Sequence, residues 1–564
     1  MTHHLSFVPP KRLRGEGGRW AAVLLFSLVT LLPVLAATDS ALVTAAKDGD
    51  LRAVRALLAR KVNVNEPARD GSTALLWAVY HSDAEMTKAL LTAGAKADTP
   101  NKYGVTPLIQ AGRGGDTALI DLLLKAGAKA SLAHPDGETA LMAASRTGRA
   151  DAVRLLIEAG GDVNASSYQQ ETALMWAAAE GHADVVTALL DAKADPNRKA
   201  RVTTLEERKH ADHPTGGFTA LMYAVRNGHA AAARTLAQRG ADLNVTNGDG
   251  VTALIVAIVN DRFDLAGTLV DLGANANDGS LYFAVDMHDA TSDMRARDGS
   301  RLRADYPNTM TALDLIAKLL DHGADPNKAF TGQLHSSTLC CSDDINASPF
   351  YRAAVAADVE ALTLMIKKGA DVEWSPKPVK KTGSDEDQGG GRGNANVGRT
   401  PVIIAINGGR GAAFAAGPGF ERLGPPPFRE ASNREPVDAI TVLLAAGANP
   451  NIKTPDGSTP LHQAVSARQV PIIQALVAAG AKLDAVNKDN LTPLLLAEKP
   501  EPPPPPGNNT DARVFKPKRN TREEVIAAVR MLMHLGPNDP APVPPPLPAD
   551  ETKKDDKKTD GEPQ

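Results

Sequence analysis

Cysteine is almost missing from this chain. Its 564 residues include two, Cys340 and Cys341, and these are adjacent. No disulfide framework can staple a chain so equipped. Aromatic residues are scarce too, at 4%. A single thick core draws on more Phe, Trp and Tyr, so alanine and leucine must carry the burial here, which suits closely packed helices. Neither sign of charge dominates: 62 Lys and Arg stand against 66 Asp and Glu, a formal net charge of -4. Neutralising phosphates takes concentrated Lys and Arg, so no nucleic acid is expected as a partner. The signatures of catalysis are missing as well. There is no phosphate loop of the G-x-x-x-x-G-K-S/T kind, no H-E-x-x-H and no C-x-x-C-H. There is no G-x-S-x-G nucleophile elbow either. The reading is therefore of a protein that is not an enzyme and takes no cofactor.

Long apolar runs are missing except at one place. Lys11, Arg12, Arg14 and Arg19 precede WAAVLLFSLVTLLPVLAA at residues 20–37. A basic head, an apolar stretch and small residues before Thr38 form the layout of a secretory signal peptide. Val34 and Ala36 supply the small residues for cleavage near Ala36 or Ala37. The stretch is also just long enough to span a bilayer, so a membrane anchor over residues 20–37 is the alternative. The expected location is periplasmic or secreted, in a bacterium, with contact to a membrane only if the N-terminal segment stays uncleaved.

What the chain has in abundance is a period. Residues 136–165 read DGETALMAASRTGRADAVRLLIEAGGDVNA, and versions of this stretch return along the chain. Gly71, Gly104 and Gly137 are 33 residues apart, with Gln170 at the next step; Gly217 and Gly250 resume the spacing after an interruption. Two residues past these markers stand Thr73, Thr106, Thr139, Thr172, Thr219 and Thr252. Leu141, Ala144 and Ser145 share one face of a short helix, which Thr139 is placed to cap. Val153, Leu156 and Ile157 share a face of a second helix, and Gly160 is suited to end it. One such unit cannot stand alone. Ordering it costs about 50 kcal/mol, more than two short helices recover by burial, whereas stacked neighbours cover each other's open faces. A period of this length therefore predicts an array, not a globule.

The repeat resembles the ankyrin repeat. The family tag T-P-L-H-x-A stands intact as TPLHQA at residues 459–464, and as TPLIQA at 106–111. The closing tag G-A-D-x-N appears as GADLN at 240–244 and GADPN at 323–327. The resemblance implies an all-α solenoid of about 12 helix-turn-helix units with projecting finger turns. It also implies a protein–protein interaction scaffold or accessory protein that works through a concave face of first helices and fingers.

Several units are split by insertions. Lys193 replaces the closing glycine of the fifth unit, and residues 199–216 lengthen its finger. In the eighth unit, SLYFAVDMHD and TALDLIAKLLDHGADPN are the paired helices on either side of a polar insert. The Gly-rich stretch at 375–398 reads as a linker, and 408–435 gathers Phe414, Phe420 and Phe428 between two helices. The expected organisation is a signal peptide or anchor at 1–37, an N-terminal array at 38–330 and a Cys-containing insertion at 331–348. A C-terminal array follows at 349–540, then a disordered tail at 541–564. His335, Cys340, Cys341, Asp343 and Asp344 make the 328–347 stretch the place to look for a metal- or redox-dependent role, the alternative to a plain scaffold. His210 and His213 are a weaker pair lacking an evident third ligand.

On the face the resemblance assigns to partners fall Tyr80, His81, Arg113, Arg146, Glu180, Arg226 and Asn227, with Phe218 from a finger. Glu138 and Glu171 hold equivalent finger positions. Arg113, Arg146 and Arg226 would form a basic stripe suited to acidic side chains, since Arg binds carboxylates bidentately. Trp77, Trp176 and Tyr223 share another position and are expected to pack between first helices. His182 and His229 are expected to make structural hydrogen bonds. The partner is a protein, and the chain itself is expected to be a monomer.

Overall fold

The computed structural model describes residues 39–204, 215–288, 307–330, 347–377, 397–406, 435–500 and 519–544. The N-terminal signal or anchor, His210, His213 and most of the 375–398 and 408–435 insertions lie outside the described residues, as does the tail from 545. The cluster of His335, Cys340, Cys341, Asp343 and Asp344 lies outside them too.

The fourth unit shows how the repeat builds itself. Its first helix is Ala140–Thr147, and Thr139 Oγ1 accepts from the Met142 N–H at 3.2 Å, which satisfies one of the free donors at the helix start. Thr73, Thr106, Thr172, Thr219, Thr252 and Thr492 make the same bond to the residue three positions on. The chain turns at Gly148, in the left-handed region at φ +77°. A Cβ there would also strike the His182 ring at 2.7 Å, so both backbone and neighbour require glycine. The second helix, Ala150–Glu158, buries Val153 and Leu156, while Ile157 is half-buried. Where the period loses its glycine the backbone keeps its course: Gln170 and Lys193 take φ values of +56° and +68°, at roughly 1–2 kcal/mol each for a side chain in that region.

Among the described residues there are 24 helices, and they pair into twelve units. First helices pack on first helices, from Ala41–Lys47 of unit 1 to Pro493–Glu498 of unit 12. Second helices form a parallel layer from Leu51–Ala59 to Arg522–Leu532. The eighth unit pairs Ser280–His288 with Ala312–Asp321 across its insertion. Alanine and leucine fill the space between layers, and the closest helix approach depends on a smaller residue still. A Cβ on Gly112 would sit 2.7 Å from the Ala140 carbonyl oxygen. The largest fully buried aromatics, Phe283, Phe350 and Tyr351, gather in units 8 and 9. Among the described residues the lengthened finger of unit 5 closes as a two-stranded antiparallel ribbon, β1 (Val202–Thr203) against β2 (Thr215–Gly216).

The TPLHQA tag ties two units together. His462 Nδ1 accepts the Thr459 backbone N–H at 3.2 Å, so the proton sits on Nε2, which donates to the Leu491 carbonyl of unit 12 at 2.9 Å. Burial holds this imidazole below its ordinary 6.5, in keeping with a neutral ring.

The closing tags form a second inter-unit system. Asn65 donates to the Gly94 carbonyl and accepts the Lys96 N–H. Asn164, Asn197, Asn327 and Asn451 repeat this two-way bond to the next unit. At the joint between units 9 and 10 the tag reads GADVE, and Glu373 stands in the asparagine's place. Its Oε1 accepts the Asn449 N–H at 2.6 Å, but Oε2 is buried with no hydrogen-bond partner among the described residues. Burial raises this carboxyl above its ordinary 4.5, and the neighbouring Asp371 adds to the rise. A carboxyl with a raised folded value favours the fold most below its unfolded value. That contribution is lost as pH climbs through the folded one. Glu373→Gln puts an amide donor at Oε2, where Asn65, Asn197, Asn327 and Asn451 donate to a glycine carbonyl and Asn164 to that of Lys193. We expect it to stabilise the protein by about 1 kcal/mol at neutral pH, and to flatten the stability gain that the native chain shows on acidification towards pH 4.5. Denaturant midpoints at pH 7 and pH 4.5 measure both; a lower midpoint at pH 7 would refute it.

Candidate partner-binding surface

The first helices of units 2–6 place two positions on one face, four and seven residues past the capping threonine, and the fingers ahead of units 4–6 add the residue before that threonine. Trp77, Trp176 and Tyr223 hold the first of these positions. They pack against the core as expected but are only half-buried, and their outer faces are covered by cations. Lys47 Nζ lies 5.4 Å from the Trp77 ring, and the Arg146 guanidinium 5.4 Å from the Trp176 ring. In both cases the cation comes from the preceding unit. The Arg226 guanidinium lies 5.1 Å from both Phe218 and Tyr223. Such contacts contribute roughly 0.5–1 kcal/mol at exposed sites and draw the cation onto the ring.

Glu171, in the finger just ahead of the unit 5 first helix, organises the middle of this surface. Its Oε2 accepts from Trp176 Nε1 at 3.2 Å and its Oε1 from the Tyr223 hydroxyl at 3.0 Å. Burial and the adjacent Glu171 push the Tyr223 hydroxyl up to about 12, so it stays a donor at any physiological pH.

The structure separates the eight residues that the sequence places on this face. Tyr80 is 60% exposed, and Arg146 and Arg226 are exposed in the same row; Glu180 is exposed one residue further along its helix, in the register of His81 and Asn227. His81 and Asn227 are exposed but hold the array together: His81 Nε2 bonds the Lys47 carbonyl at 2.8 Å, and Asn227 Nδ2 donates to the Ala179 carbonyl at 2.7 Å. His182 and His229 make the same kind of bond, as their positions predict. Phe218 is half-buried against Tyr223. Arg113 is engaged inside the array. Its Nε donates to Glu138 Oε1 at 3.3 Å and its Nη2 pairs with Oε2, and the Glu138 side chain is 8% exposed. This hydrogen bond raises the guanidinium's affinity for its proton further. The basic stripe therefore has two open members, Arg146 and Arg226, not three. The repeat pattern does not single out the finger tyrosines Tyr103 and Tyr168, each 68% exposed. Their one signal is local: both are aromatic residues just ahead of the marker position.

Among the described residues one histidine–carboxylate group has metal-ligand spacing: His288, Asp358 and Glu360. Asp358 Oδ2 lies 2.6 Å from Nδ1, whereas Glu360 lies 3.7 Å from Nε2. The two carboxylates thus address opposite nitrogens of one ring, and Asp358 Oδ1 also caps the helix Val359–Lys367. With Arg352 and Asp286 paired at 2.7 Å nearby, the group braces unit 8 against unit 9.

A stack of helix pairs with fingers and a braced outer row defines a helical-repeat interaction protein. A family model described as ankyrin repeats, three copies, matches residues 42–132, 108–200, 203–279 and 428–500, more than half of the chain. The chain belongs to the ankyrin-repeat family. No curated protein matches it. Among solved structures, the human ASB11 ankyrin repeat domain is 27% identical over 41% of this chain and 97% of that one, with a TM-score of 0.35.

Proposed function

We propose that the chain is a non-catalytic protein–protein interaction scaffold that acts outside the cytoplasm and holds its partner on the face of first helices and fingers. The supporting observation is the row of exposed Tyr80, Arg146 and Arg226 on a layer whose units are tied to one another by side-chain bonds. Aromatic and Arg side chains dominate binding hot spots, and a pre-ordered surface loses little freedom on binding. The ankyrin fold itself is used for recognition without chemistry, which fits the lack of catalytic motifs in the sequence.

Export is the second half of this reading and rests on residues 1–37. Among the described residues no helix is long and apolar enough to cross a membrane. N-terminal sequencing of the mature protein should begin at Ala37 or Thr38; an intact N-terminus in the membrane fraction would favour a tethered adaptor in its place. For the binding face, the native protein and a Tyr80→Ala, Arg146→Glu, Arg226→Glu variant serve as baits on the exported fraction. The native bait should retain a partner that the variant recovers at least tenfold less. Equal recovery would remove this face from consideration.

A further inference from the structure

Two exposed arginines of the row are linked through a third side chain. Arg146 of unit 4 lies over the Trp176 ring of unit 5, and Arg226 of unit 6 lies over Phe218 and Tyr223. Glu171 joins these rings: its Oε2 accepts from Trp176 Nε1 at 3.2 Å and its Oε1 from the Tyr223 hydroxyl at 3.0 Å. Indole and phenol are thus fastened to one carboxylate, and an unbroken line of contacts runs from one guanidinium to the other. Both arginines are exposed, whereas Glu171, Trp176, Phe218 and Tyr223 are half-buried. Among the described residues neither guanidinium makes an ion pair. Their one side-chain hydrogen bond is a long one, from Arg226 Nε to Asn227 Oδ1 at 3.4 Å. Arg113 differs, since Glu138 already neutralises it. Unit 5 adds no third cation to the row, because Ala179 holds the position of Arg146 and Arg226.

Resting on the scaffold reading above, we propose that units 4–6 bind two separate acidic side chains of a protein partner, one at Arg146 and one at Arg226, with Glu171 as the positioning residue that sets their separation. Bonds between Arg and carboxylate are charge-assisted and about twice as strong as neutral ones. The Nη groups of both arginines are open to them among the described residues. The rings draw each cation into place beforehand, so less freedom is lost on pairing. Separation follows from the stack. The supporting rings belong to adjacent units, and the arginines themselves to units 4 and 6. The carboxylates they hold are therefore one to two helix spacings apart, roughly 8–20 Å. An extended segment covers that distance in about three to six residues. A continuous polyanion is disfavoured, because an acid placed between the two would approach the Glu171 carboxylate, and like charges brought together cost affinity. The residues between the two acids should accordingly be neutral.

The test titrates the purified protein, at low salt, with end-blocked peptides that carry a neutral fluorophore and two Glu in an otherwise neutral sequence. The two Glu stand from one to nine positions apart. Anisotropy should show the tightest binding at about three to six positions, roughly fivefold tighter than at one or nine, and the preference should fade as salt is raised. Arg146→Gln and Arg226→Gln should each weaken the best peptide by about fivefold. Each should also abolish the dependence on separation, since one carboxylate is then held alone. Glu171→Ala unties the two rings and should flatten the profile while binding still requires acids. Glu171→Gln can accept from Trp176 and donate to the Tyr223 oxygen, so it should restore the profile. It should also admit a peptide with an added central Glu, which the native protein binds less well. A purely structural role for Glu171 would leave the shape of the profile unchanged, and circular dichroism checks that each variant keeps the array. Affinity independent of separation in the native protein overturns the proposal. So does equal or tighter binding of an all-Glu peptide, or no binding of any two-acid peptide at millimolar concentration. If the profile is flat while partner recovery still depends on Arg146 and Arg226, the scaffold reading stands and the two-acid site is wrong. If the profile appears but the exported fraction yields no partner, the reverse holds.

Discussion

Arg113→Ala should destabilise the array by about 2–3 kcal/mol, although the residue lies on the same row as Arg146. The reason is what it leaves behind. Glu138 is almost wholly buried in a finger and directs both carboxylate oxygens at Arg113. Removing the guanidinium strands a buried charge, and stranded acceptors cost far more than the net worth of the pair that satisfied them. The expected value sits at the lower end of the range for such breaks because the Arg113 side chain is 30% exposed and solvent screens part of the interaction. The double variant Arg113→Met with Glu138→Leu should recover most of the loss. Urea unfolding of the three proteins measures this. A single variant as stable as the native chain would mean that the pair is a surface contact only. A practical consequence is that Arg113 should be left untouched in any binding assay of this face, since its loss disturbs the platform itself.

Phe283→Ala is expected to cost about 3–5 kcal/mol, the usual range for emptying a large buried aromatic site. Phe283 is 1% exposed, with the Phe330 ring 4.7 Å away edge-on and the Tyr282 ring at 5.6 Å. Elsewhere the core consists mostly of small side chains, so few neighbours are large enough to refill the space. In a stacked array the damage should stay local, because stability is a sum of unit and nearest-neighbour contributions. Hydrogen exchange should accelerate in Ala253–Val259, Ser280–His288 and Pro349–Val355 and remain slow in Ala140–Thr147. A uniform loss of protection along the chain would show that the twelve units unfold as one body.

Most of this architecture is legible in the sequence, and the illegible parts have a common cause. The spacing of threonines and glycines marks most first-helix starts and many left-handed turns, since those roles are fixed by bonds within a few residues. The paired helices of unit 8 are recognisable across their insertion because the second one leads into the closing tag GADPN. Contacts between units are harder to see. Arg113 meets Glu138 over 25 residues, and Tyr223 meets Glu171 over 52. A period shows that such positions are neighbours but not which of them share a bond. So the pattern presents three arginines as one uniform stripe although Glu138 neutralises the first. It likewise presents Trp77, Trp176 and Tyr223 as filler although their outer faces carry the cations. The ribbon of β1 and β2 escapes the pattern because two residues per strand leave no alternation to detect. Glu373 is visible as the odd letter in GADVE, but its meaning needs the two-way bonds that Asn65, Asn164, Asn197, Asn327 and Asn451 make at five other joints.

The joint at Glu373 bears on how the protein would behave when pulled. Helix packing runs from each unit to the next, so tension applied at the two ends is carried in series and the softest link yields first. The joint at Glu373, whose carboxylate leaves one oxygen buried and unbonded among the described residues, separates nine units from three, and we expect it to be among the first to yield. A partner seated on the row from Tyr80 to Arg226, in units 2–6, lies wholly within the longer piece. Stretching should therefore part the molecule like a bead string at a chosen knot, lengthening the tether while the cargo keeps its grip.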